Sequence, residues 1–348
     1  MKSEFGVVMA GFSNRTVPMT VLESARKAVE GCSISPVLAL GVGGAVTVVT
    51  CHRVEIYVEG AVDAMGPSLF DAWSGGRLGG RAPVVLKDGE AARHLLRVAA
   101  GLEAAVLGDE NVLGQLRSAY RSACDGLSAG PLLHRMFHTA FRAGKRVRTE
   151  TGLGRGGRSL AGEAVVVINR ALGGLAERTV LVLGAGEMAR TAAERLAKRG
   201  VGRLVISNRS LKRAKDLAAA TGGEVVPWSW RGRVLRTVDA MIVGTGAPEP
   251  VLGAEELRAA AAARGRLVAV DLSLPRNLEP PAEQAPGLEL IDLVKLTSLL
   301  EGERERRQGD VVLAEGIVDQ ETEKWLDWAR NRQERGCRGL TVRGVAAG

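Results

Sequence analysis

The sequence predicts an α/β protein of two domains followed by a long C-terminal helix, and three features of its 348 residues support this. Short β-branched runs alternate with helical segments near the N-terminus. Longer apolar runs alternate with alanine-rich helices further along, and a charged helical segment follows. A chain of this length accommodates roughly two domains of about 100–200 residues each. We predict an α/β domain at 1–150, a second at 151–290, a spinal helix at 291–333 and a tail at 334–348.

Composition excludes several classes of protein. Apolar residues make up 46% of the chain, yet no uncharged apolar run reaches the roughly 18 residues of a transmembrane helix. The N-terminus lacks the apolar region and cleavage site of a secretory signal. The four cysteines have neither zinc-ligand nor CxxC spacing. His134 and His138 lie four residues apart without a third ligand, so no metal is predicted. We expect a cytoplasmic protein without a membrane partner.

The chain is basic, with a formal net charge of +8. Most lysines and arginines are spread along the sequence, but clusters occur at 142–148 and 304–307. Clustered cations gain affinity for polyanions by releasing counterions. Because aromatic residues make up only 3% of the chain, a base-stacking platform is disfavoured. Composition alone therefore fits a solvated surface as well as an RNA-binding one.

The first domain is predicted from short strands and several helices. Residues 6–10 and 46–50 are β-branched runs, and a helical segment near 19–30 lies between them. From 89 to 148 the pattern is helical, because apolar residues recur at three- and four-residue spacing. A glycine-rich break at 152–158 marks the domain boundary.

The second domain is predicted to contain a parallel, doubly wound sheet. A helix near 159–172 leads into the apolar strand Arg178–Gly184. Three further buried strands are expected at Leu204–Ser207, Ala240–Val243 and Leu267–Asp271. Alanine-rich helices separate several of these strands, which is the rhythm of a sheet covered by helices on both faces.

A glycine-rich loop follows the first of these strands. Gly184, Gly186 and Ala189 form the pattern G-x-G-x-x-A between a strand and a helix. The first glycine permits a tight turn, the second lets a pyrophosphate approach the backbone, and the small third residue allows close packing. Amides at the helix N-terminus then hold the phosphate. The segment predicts a Rossmann-type dinucleotide-binding domain; the alternative is a glycine turn without a cofactor.

The end of the second strand indicates which dinucleotide binds. NAD enzymes usually have Asp or Glu there, about 20 residues on, whereas this chain has Ser207-Asn208-Arg209-Ser210. Because no carboxylate repels a 2′-phosphate and Arg209 can pair with one, NADPH is predicted. Gly244–Ala247 is a second loop suited to the nicotinamide side. The predicted cofactor residues are Gly184, Ala185, Gly186, Glu187, Met188, Asn208, Arg209, Ser210, Lys212, Thr245 and Gly246.

Cys51 is the candidate nucleophile. The β-rich run Val48–Tyr57 presents it between the hydroxyl of Thr50 and the cation of Arg53. A thiolate traps acyl groups, and a nearby cation lowers the pKa of a thiol. A thiol and a hydride donor together suggest reduction of an activated acid to an aldehyde. The alternative is an inert packing cysteine.

The pattern Thr50-Cys51-x-Arg53-x-Glu55-x-Tyr57 resembles the cysteine motif of the glutamyl-tRNA reductase family. Further matches to that family follow in the same order, and together they form a highly specific set. They are His94–Glu103, Val106–Gly108, Leu113–Gln115, Gly144–Thr151, Gly184–Met188, Ser207–Arg209, Thr245–Ala247, Asp271–Arg276 and Trp325–Trp328.

The resemblance implies NADPH-dependent reduction of glutamyl-tRNA to glutamate-1-semialdehyde, the first step of five-carbon tetrapyrrole synthesis. The first domain would then be catalytic and the second would bind NADPH. Cys51 would form a thioester and release tRNA, and His94 would polarise the carbonyl or carry protons. A downstream aminomutase is an implied partner. The residues implied at the substrate are Thr50, Arg53, Glu55, Asp109, Glu110 and Gln115, with Thr50 and Arg53 on its carboxylate.

Departures from the family pattern leave the substrate open. His52 replaces the usual asparagine, Ala104 replaces a serine that contacts the glutamyl group, and Asp109-Glu110-Asn111 is an unusual acidic segment. We also expect the family's dimerisation domain to be truncated or absent, which leaves open a monomer, a dimer through the spinal helix alone, or a different way of recognising tRNA. Two alternatives stay open. One is a paralogue that reduces another aminoacyl-tRNA or acyl donor, and the other is a non-catalytic regulator that binds tRNA or a pathway enzyme.

Overall fold

The computed structural model divides the chain into two compact units. One consists of Met1–Gly157 together with Glu303–Gly348, and the other of Arg158–Gly302. None of the helices among the described residues is both long and apolar enough to span a membrane. The described residues are 5–50, 52–60, 66–78, 81–104, 106–109, 111–154, 159–281, 285–300 and 306–345.

The first unit is built on an antiparallel sheet. Its strands are β1 (Val7–Ser13), β2 (Gly44–Val49), β3 (Arg53–Glu59) and β4 (Val84–Lys87). Its first helices are α1 (Met19–Val29), α2 (Ser35–Leu38), α3 (Gly66–Ser74), α4 (Asp88–Ala99), α5 (Asn111–Asp125) and α6 (Pro131–Glu150). In the described part of the chain, the spatial order of the strands is β2-β3-β1-β4.

Alternating side chains of this sheet enter two separate cores, and every residue of β1 is buried. Val7, Met9 and Tyr57 pack with α4, α5 and α6, whereas Val8 and Ile56 pack with α1 and α3. Successive residues of a strand point to opposite faces, so a sheet covered on both sides needs apolar residues throughout.

The predicted strands and first helix of this unit are confirmed with shifted ends. The expected runs at 6–10 and 46–50 correspond to β1 and β2, and the helix near 19–30 is α1. The β-rich run at 48–57 is not a single strand, because β2 ends at Val49 and β3 begins at Arg53. The thiol motif therefore spans two antiparallel strands and the turn between them.

The second unit contains a parallel sheet, which confirms the predicted doubly wound arrangement. Its strands are β5 (Thr179–Leu183), β6 (Arg203–Ser207), β7 (Glu224–Val225), β8 (Ala240–Val243), β9 (Leu267–Asp271) and β10 (Leu288–Ile291). Its helices are α7 (Leu160–Leu172), α8 (Glu187–Lys198), α9 (Leu211–Thr221), α10 (Arg231–Leu235), α11 (Ala254–Arg264) and α12 (Leu293–Leu300). Among the described residues the order is β10-β9-β8-β5-β6-β7. The connection reverses direction between β5 and β8, which opens a crevice at their carboxyl ends.

The long C-terminal helix differs from its prediction. It runs over Gln308–Val345, whereas the spinal helix was expected at 291–333 and a tail at 334–348. The preceding apolar residues belong to the second unit, because β10 pairs in parallel with β9 and α12 packs beside it. The long helix instead packs on α4 and α6 of the first unit.

One face of the long helix is buried, although its charged sequence suggests a helix surrounded by solvent. Ala314, Val318 and Trp325 have no exposed surface. Beside them Glu321 is fully buried and accepts from Arg142 Nε at 2.5 Å and Arg146 Nη1 at 3.0 Å. Two cations of the basic cluster at 142–148 are therefore committed to holding the long helix.

Gly144 fixes how closely α6 approaches α4, and its substitution tests that packing. A Cβ there would lie 2.5 Å from the carbonyl oxygen of Ala99, so G144A lowers the free energy of unfolding by about 1–3 kcal/mol, a usual overpacking cost. Gly316 is a matched control in the long helix, since a Cβ there meets no atom within 4 Å. G316A raises the same free energy by up to about 1 kcal/mol through helix propensity. Urea unfolding measures both; equal effects would contradict the close approach.

Glu321 makes the docking of the long helix depend on pH. Burial raises the pKa of this carboxyl, but Lys324, Arg142 and Arg146 more than offset this and hold it below its ordinary value of 4.5. The stabilisation is therefore present above pH 4.5 and is lost as pH falls below it. E321Q lowers the free energy of unfolding by about 1–3 kcal/mol at pH 7, and the difference from wild type shrinks towards pH 3. E323Q, at an exposed position, controls for charge; parallel pH curves for wild type and E321Q would disprove this role.

Candidate active site and cofactor cleft

The turn between β2 and β3 is held by Thr50. Its Oγ1 accepts from the amides of His52 at 3.1 Å and Arg53 at 3.2 Å, and its own amide donates to the Arg53 carbonyl at 2.8 Å. The Thr50 hydroxyl therefore shapes the segment that carries the thiol. Cys51 itself lies outside the described residues, so its role as nucleophile stays a prediction.

A buried carboxylate organises the residues that follow the turn. Glu55 is 2% exposed, and its Oε1 accepts from Arg53 Nη1 at 3.0 Å and lies 2.9 Å from His94 Nε2. Its Oε2 accepts from the Tyr57 hydroxyl at 2.8 Å. Arg53, Glu55 and Tyr57 share one face of β3 because they alternate along the strand. His94 approaches from α4, so the structure brings three predicted site residues together.

The surroundings set the charge of Glu55, Tyr57 and the nearby His52. Burial raises the pKa of Glu55, but Arg53 and His94 more than offset this and lower the pKa to about 2. Burial and the charge of Glu55 raise the pKa of Tyr57 well above its usual range, so its hydroxyl remains a donor. Burial, followed by the charge of Arg53, lowers the pKa of His52 to about 4. The imidazole next to Cys51 in sequence is therefore neutral at physiological pH.

The loop after α4 supplies a further partner for Arg53. Arg53 Nη2 donates to the carbonyl oxygen of Glu103 at 3.0 Å. The loop folds back tightly, because the amide of Gly108 donates to the carbonyl of Gly101 at 3.1 Å. Both glycines have positive φ, and a Cβ at Gly108 would lie 2.4 Å from the carbonyl oxygen of Leu153. Ala104 lies in this same loop.

Two further predicted substrate residues, Asp109 and Gln115, lie just before α5 and on it. Asp109 accepts from the amide of Asn111 at 2.9 Å and so caps the first turn of α5. Gln115 is half-buried on α5. Neither has a described contact with Arg53 or His94, and Glu110 lies outside the described residues.

The second unit has a cleft of about 300 Å³ at the carboxyl ends of β5 and β8. Eight of the predicted cofactor residues line it, whereas Glu187, Met188 and Lys212 do not. Glu187 and Lys212 are exposed near the starts of their helices. The sequence prediction missed Arg213 and Trp228. The position of Arg213 near the start of α9 explains why it lines the cleft. No local sequence pattern indicated that Trp228 would line it. The lining residues are Gly184, Ala185, Gly186, Asn208, Arg209, Ser210, Arg213, Trp228, Gly244, Thr245, Gly246 and Ala247.

The glycines of the cleft leave room for a ligand to approach the backbone. Gly184 has φ +113°, and a Cβ there would lie 2.3 Å from the carbonyl oxygen of Gly244. At Gly246 a Cβ would meet no atom within 4 Å, and at Gly186 it would make only an ordinary van der Waals contact, 3.9 Å from the carbonyl oxygen of Gly244. Gly186 also caps the N-terminus of α8, where amide groups attract phosphate. These residues fit a dinucleotide.

The cations of the cleft stand beside an indole ring. The guanidinium carbon of Arg209 lies 5.9 Å from the ring centroid of Trp228. Ser210 caps α9 by accepting from the amide of Arg213 at 3.4 Å. Positive charge, a hydroxyl and a flat apolar surface therefore meet at the end of β6.

Asp271 holds the loop at 273–278, which in turn contacts the second cofactor loop, Gly244–Ala247. Its carboxylate accepts from the amides of Ser273, Asn277 and Leu278 at 2.7–2.9 Å. Burial raises the pKa of Asp271 despite these bonds. Asn277 in turn donates to the carbonyl of Ala247 at 3.0 Å. Asp271 therefore supports the second cofactor loop through Asn277.

Comparisons with known proteins agree with this arrangement. The family model described as "Glutamyl-tRNAGlu reductase, N-terminal domain" matches residues 10–151. The model described as "Shikimate / quinate 5-dehydrogenase" matches residues 166–299. The second unit is therefore a dehydrogenase domain of the kind that binds a nicotinamide cofactor.

Whole-chain relatives give a consistent result. Glutamyl-tRNA reductase of Salinibacter ruber is 38% identical over 291 residues, which cover 82% of this chain and 60% of that protein. Glutamyl-tRNA reductase 2 of Anaeromyxobacter dehalogenans is 34% identical over 348 residues, or 96% of this chain and 75% of that protein. The solved glutamyl-tRNA reductase of Methanopyrus kandleri has a TM-score of 0.53 and 31% identity, covering 96% of this chain and 82% of its own. These matches confirm the resemblance that the motifs indicate: the chain belongs to the glutamyl-tRNA reductase family of oxidoreductases.

Proposed function

We propose that this chain reduces glutamyl-tRNA to glutamate-1-semialdehyde with NADPH, as the first step of tetrapyrrole formation. The observation that carries the proposal is the buried cluster of Arg53, Glu55 and His94 beside the turn that bears Cys51. The cluster combines a cation for a substrate carboxylate with an oriented imidazole for proton transfer. Membership in the glutamyl-tRNA reductase family supports the same reaction.

Acyl transfer to Cys51 is the first chemical step. The thiolate attacks the ester carbonyl carbon, the new C–S bond forms, and the C–O bond to the tRNA ribose breaks. The ribose oxygen takes up a proton as tRNA leaves. Glu55 is ionised and lies 2.9 Å from His94 Nε2, so it favours the tautomer with a proton on that nitrogen. His94 Nδ1 then accepts the thiol proton and passes it to the ribose oxygen.

Arg53 is the group that binds the substrate carboxylate. Two of its five N–H groups are used by Glu55 and by the carbonyl of Glu103. Counting only contacts with residues that the structure describes, three donors remain for a bidentate contact with a carboxylate. Because the Arg53 side chain is only 3% exposed, the contact is shielded from water and favours a negatively charged acyl group.

Reduction of the thioester completes the reaction. When bound, NADPH would supply the hydride for the thioester carbon, and the C–S bond would then break to release the aldehyde and the Cys51 thiolate. The preference for NADPH rests on Arg209 and Arg213, which line the cleft with Ser210 and Trp228. Two guanidinium groups beyond the end of β6 can bind a 2′-phosphate. They do not hinder binding of the rest of the dinucleotide.

The proposed partners follow from this chemistry. Charged tRNA is the acyl donor, and a reactive aldehyde product favours direct handover to an aminomutase. The long helix offers the surface for a dimer.

A second candidate function keeps the mechanism and changes the acyl group, since Ala104 lacks the hydroxyl of the usual serine and His52 stands next to the nucleophile. Comparing glutamyl-tRNA with other charged tRNAs, with the aldehyde trapped, separates the two functions.

Substitution of the nucleophile tests the covalent step. C51S loses the acyl-enzyme that forms from radiolabelled glutamyl-tRNA when NADPH is omitted, because a serine hydroxyl is far less nucleophilic than a thiolate. It retains NADPH binding, which fluorescence titration measures. C124S is the control, since Cys124 is a free thiol on α5 away from the cluster. Acyl-enzyme in C51S at the wild-type level would refute the mechanism.

Substitution of a cleft arginine tests the cofactor. R213Q raises the KM for NADPH by about tenfold, the size expected for one charge-assisted contact with phosphate, and leaves the KM for NADH unchanged. The neighbouring K212Q is the control, because Lys212 is exposed and does not line the cleft. An equal loss with both nucleotides would contradict a 2′-phosphate contact.

A further inference from the structure

The long helix contacts the helix that carries His94. Glu315 lies between two arginines of α4, with its Oε2 2.9 Å from Arg93 Nη2 and its Oε1 bonded to Arg97 Nη1. These arginines flank His94, which points the other way towards Glu55. The α4 helix is therefore clamped by the long helix on one side and by the buried cluster on the other.

Arg97 extends this contact towards the substrate cation. It also binds Glu103, donating from Nε and Nη2 at 2.7 Å each to Oε1. The carbonyl oxygen of Glu103 accepts from Arg53 Nη2 at 3.0 Å. A continuous series of contacts thus joins Glu315 to Arg53 through Arg97 and Glu103.

Partial burial makes this series sensitive to each charge. The side chains of Glu103, Arg97 and Glu315 are 15%, 18% and 23% exposed, so water screens them less than a surface pair. Arg15 holds the other oxygen of Glu103 from 3.4 Å and donates to the carbonyl of Leu102 at 3.1 Å. Arg97 and Arg15 therefore hold the Glu103 carboxylate from two directions.

We infer that Glu315 is a positioning residue for substrate binding. It holds Arg97 against Glu103, and so sets the position of the carbonyl that orients the Arg53 guanidinium. This role rests on the proposed function, because it requires Arg53 to bind the substrate carboxylate. The catalytic reactivity of the first unit then depends on the docking of the long helix.

Steady-state kinetics tests this role. E315Q raises the KM for glutamyl-tRNA about tenfold, because a displacement well below 1 Å in a binding group is costly, and it changes kcat less. Asp319 offers a matched control on the same helix, since it pairs with Arg93 at 2.7 Å and is 57% exposed. D319N retains the wild-type KM. The double variant E103Q/E315Q loses no more than E103Q alone, because both act on one series of contacts. Additive losses, or equal effects of E315Q and D319N, would overturn the inference.

A second measurement does not depend on tRNA reduction. Mass spectrometry measures the rates at which anionic iodoacetate and neutral iodoacetamide alkylate Cys51. The R53Q variant shows how far the ratio of these rates falls when the Arg53 cation is removed. E315Q lowers the ratio of the two rates several-fold towards R53Q if Arg53 moves away. Removing a negative charge alone would raise this ratio, so an unchanged or higher ratio in E315Q would refute the positioning role. Wild-type protein that fails to reduce glutamyl-tRNA would instead contradict the proposed function.

Discussion

The ionised carboxylate of Glu55 makes the interactions on which the first unit depends. A carboxylate that is 2% exposed loses most of its hydration, and such a charge is tolerated only where donors replace the water. Arg53, Tyr57 and His94 supply those donors from two elements. The same bonds that offset the desolvation of Glu55 also fix the rotamers of the cation and the imidazole. Folding and preorganisation of the site thus rest on one group.

The basic composition has a different meaning once the contacts are known. Arg93 and Arg97 bind Glu315, and Arg142 and Arg146 bind Glu321. These four cations neutralise acids of the long helix. Their contribution to a field that attracts polyanions is correspondingly small, because paired charges cancel at a distance. The basic cluster at 142–148 thus offers less positive charge to RNA than its sequence suggests.

Sequence patterns correctly predicted the elements whose structure depends on residues that are close together in the chain. The strand–loop–helix at Gly184 and the buried strands of the second unit were predictable, because period and glycine spacing directly reflect backbone geometry. The start of the long helix was not predictable, because a short, mostly apolar segment such as Leu288–Ile291 can form either a helix or a strand. Its identity as β10 comes from pairing with β9. Trp228 and Glu315 likewise reach their sites through tertiary contacts that leave no periodic trace.

The loop at 273–278, which is held by the Asp271 carboxylate, has a consequence for how this domain changes over time. The carboxylate binds three main-chain amides, and main-chain amides are present whatever side chains the loop carries. The shape of the loop is therefore encoded by a single acidic residue and by backbone spacing. Substitutions elsewhere in the segment can accumulate and retune the neighbouring pocket while the loop keeps its course. A divergent member of the family can thus acquire new preferences without rebuilding the scaffold.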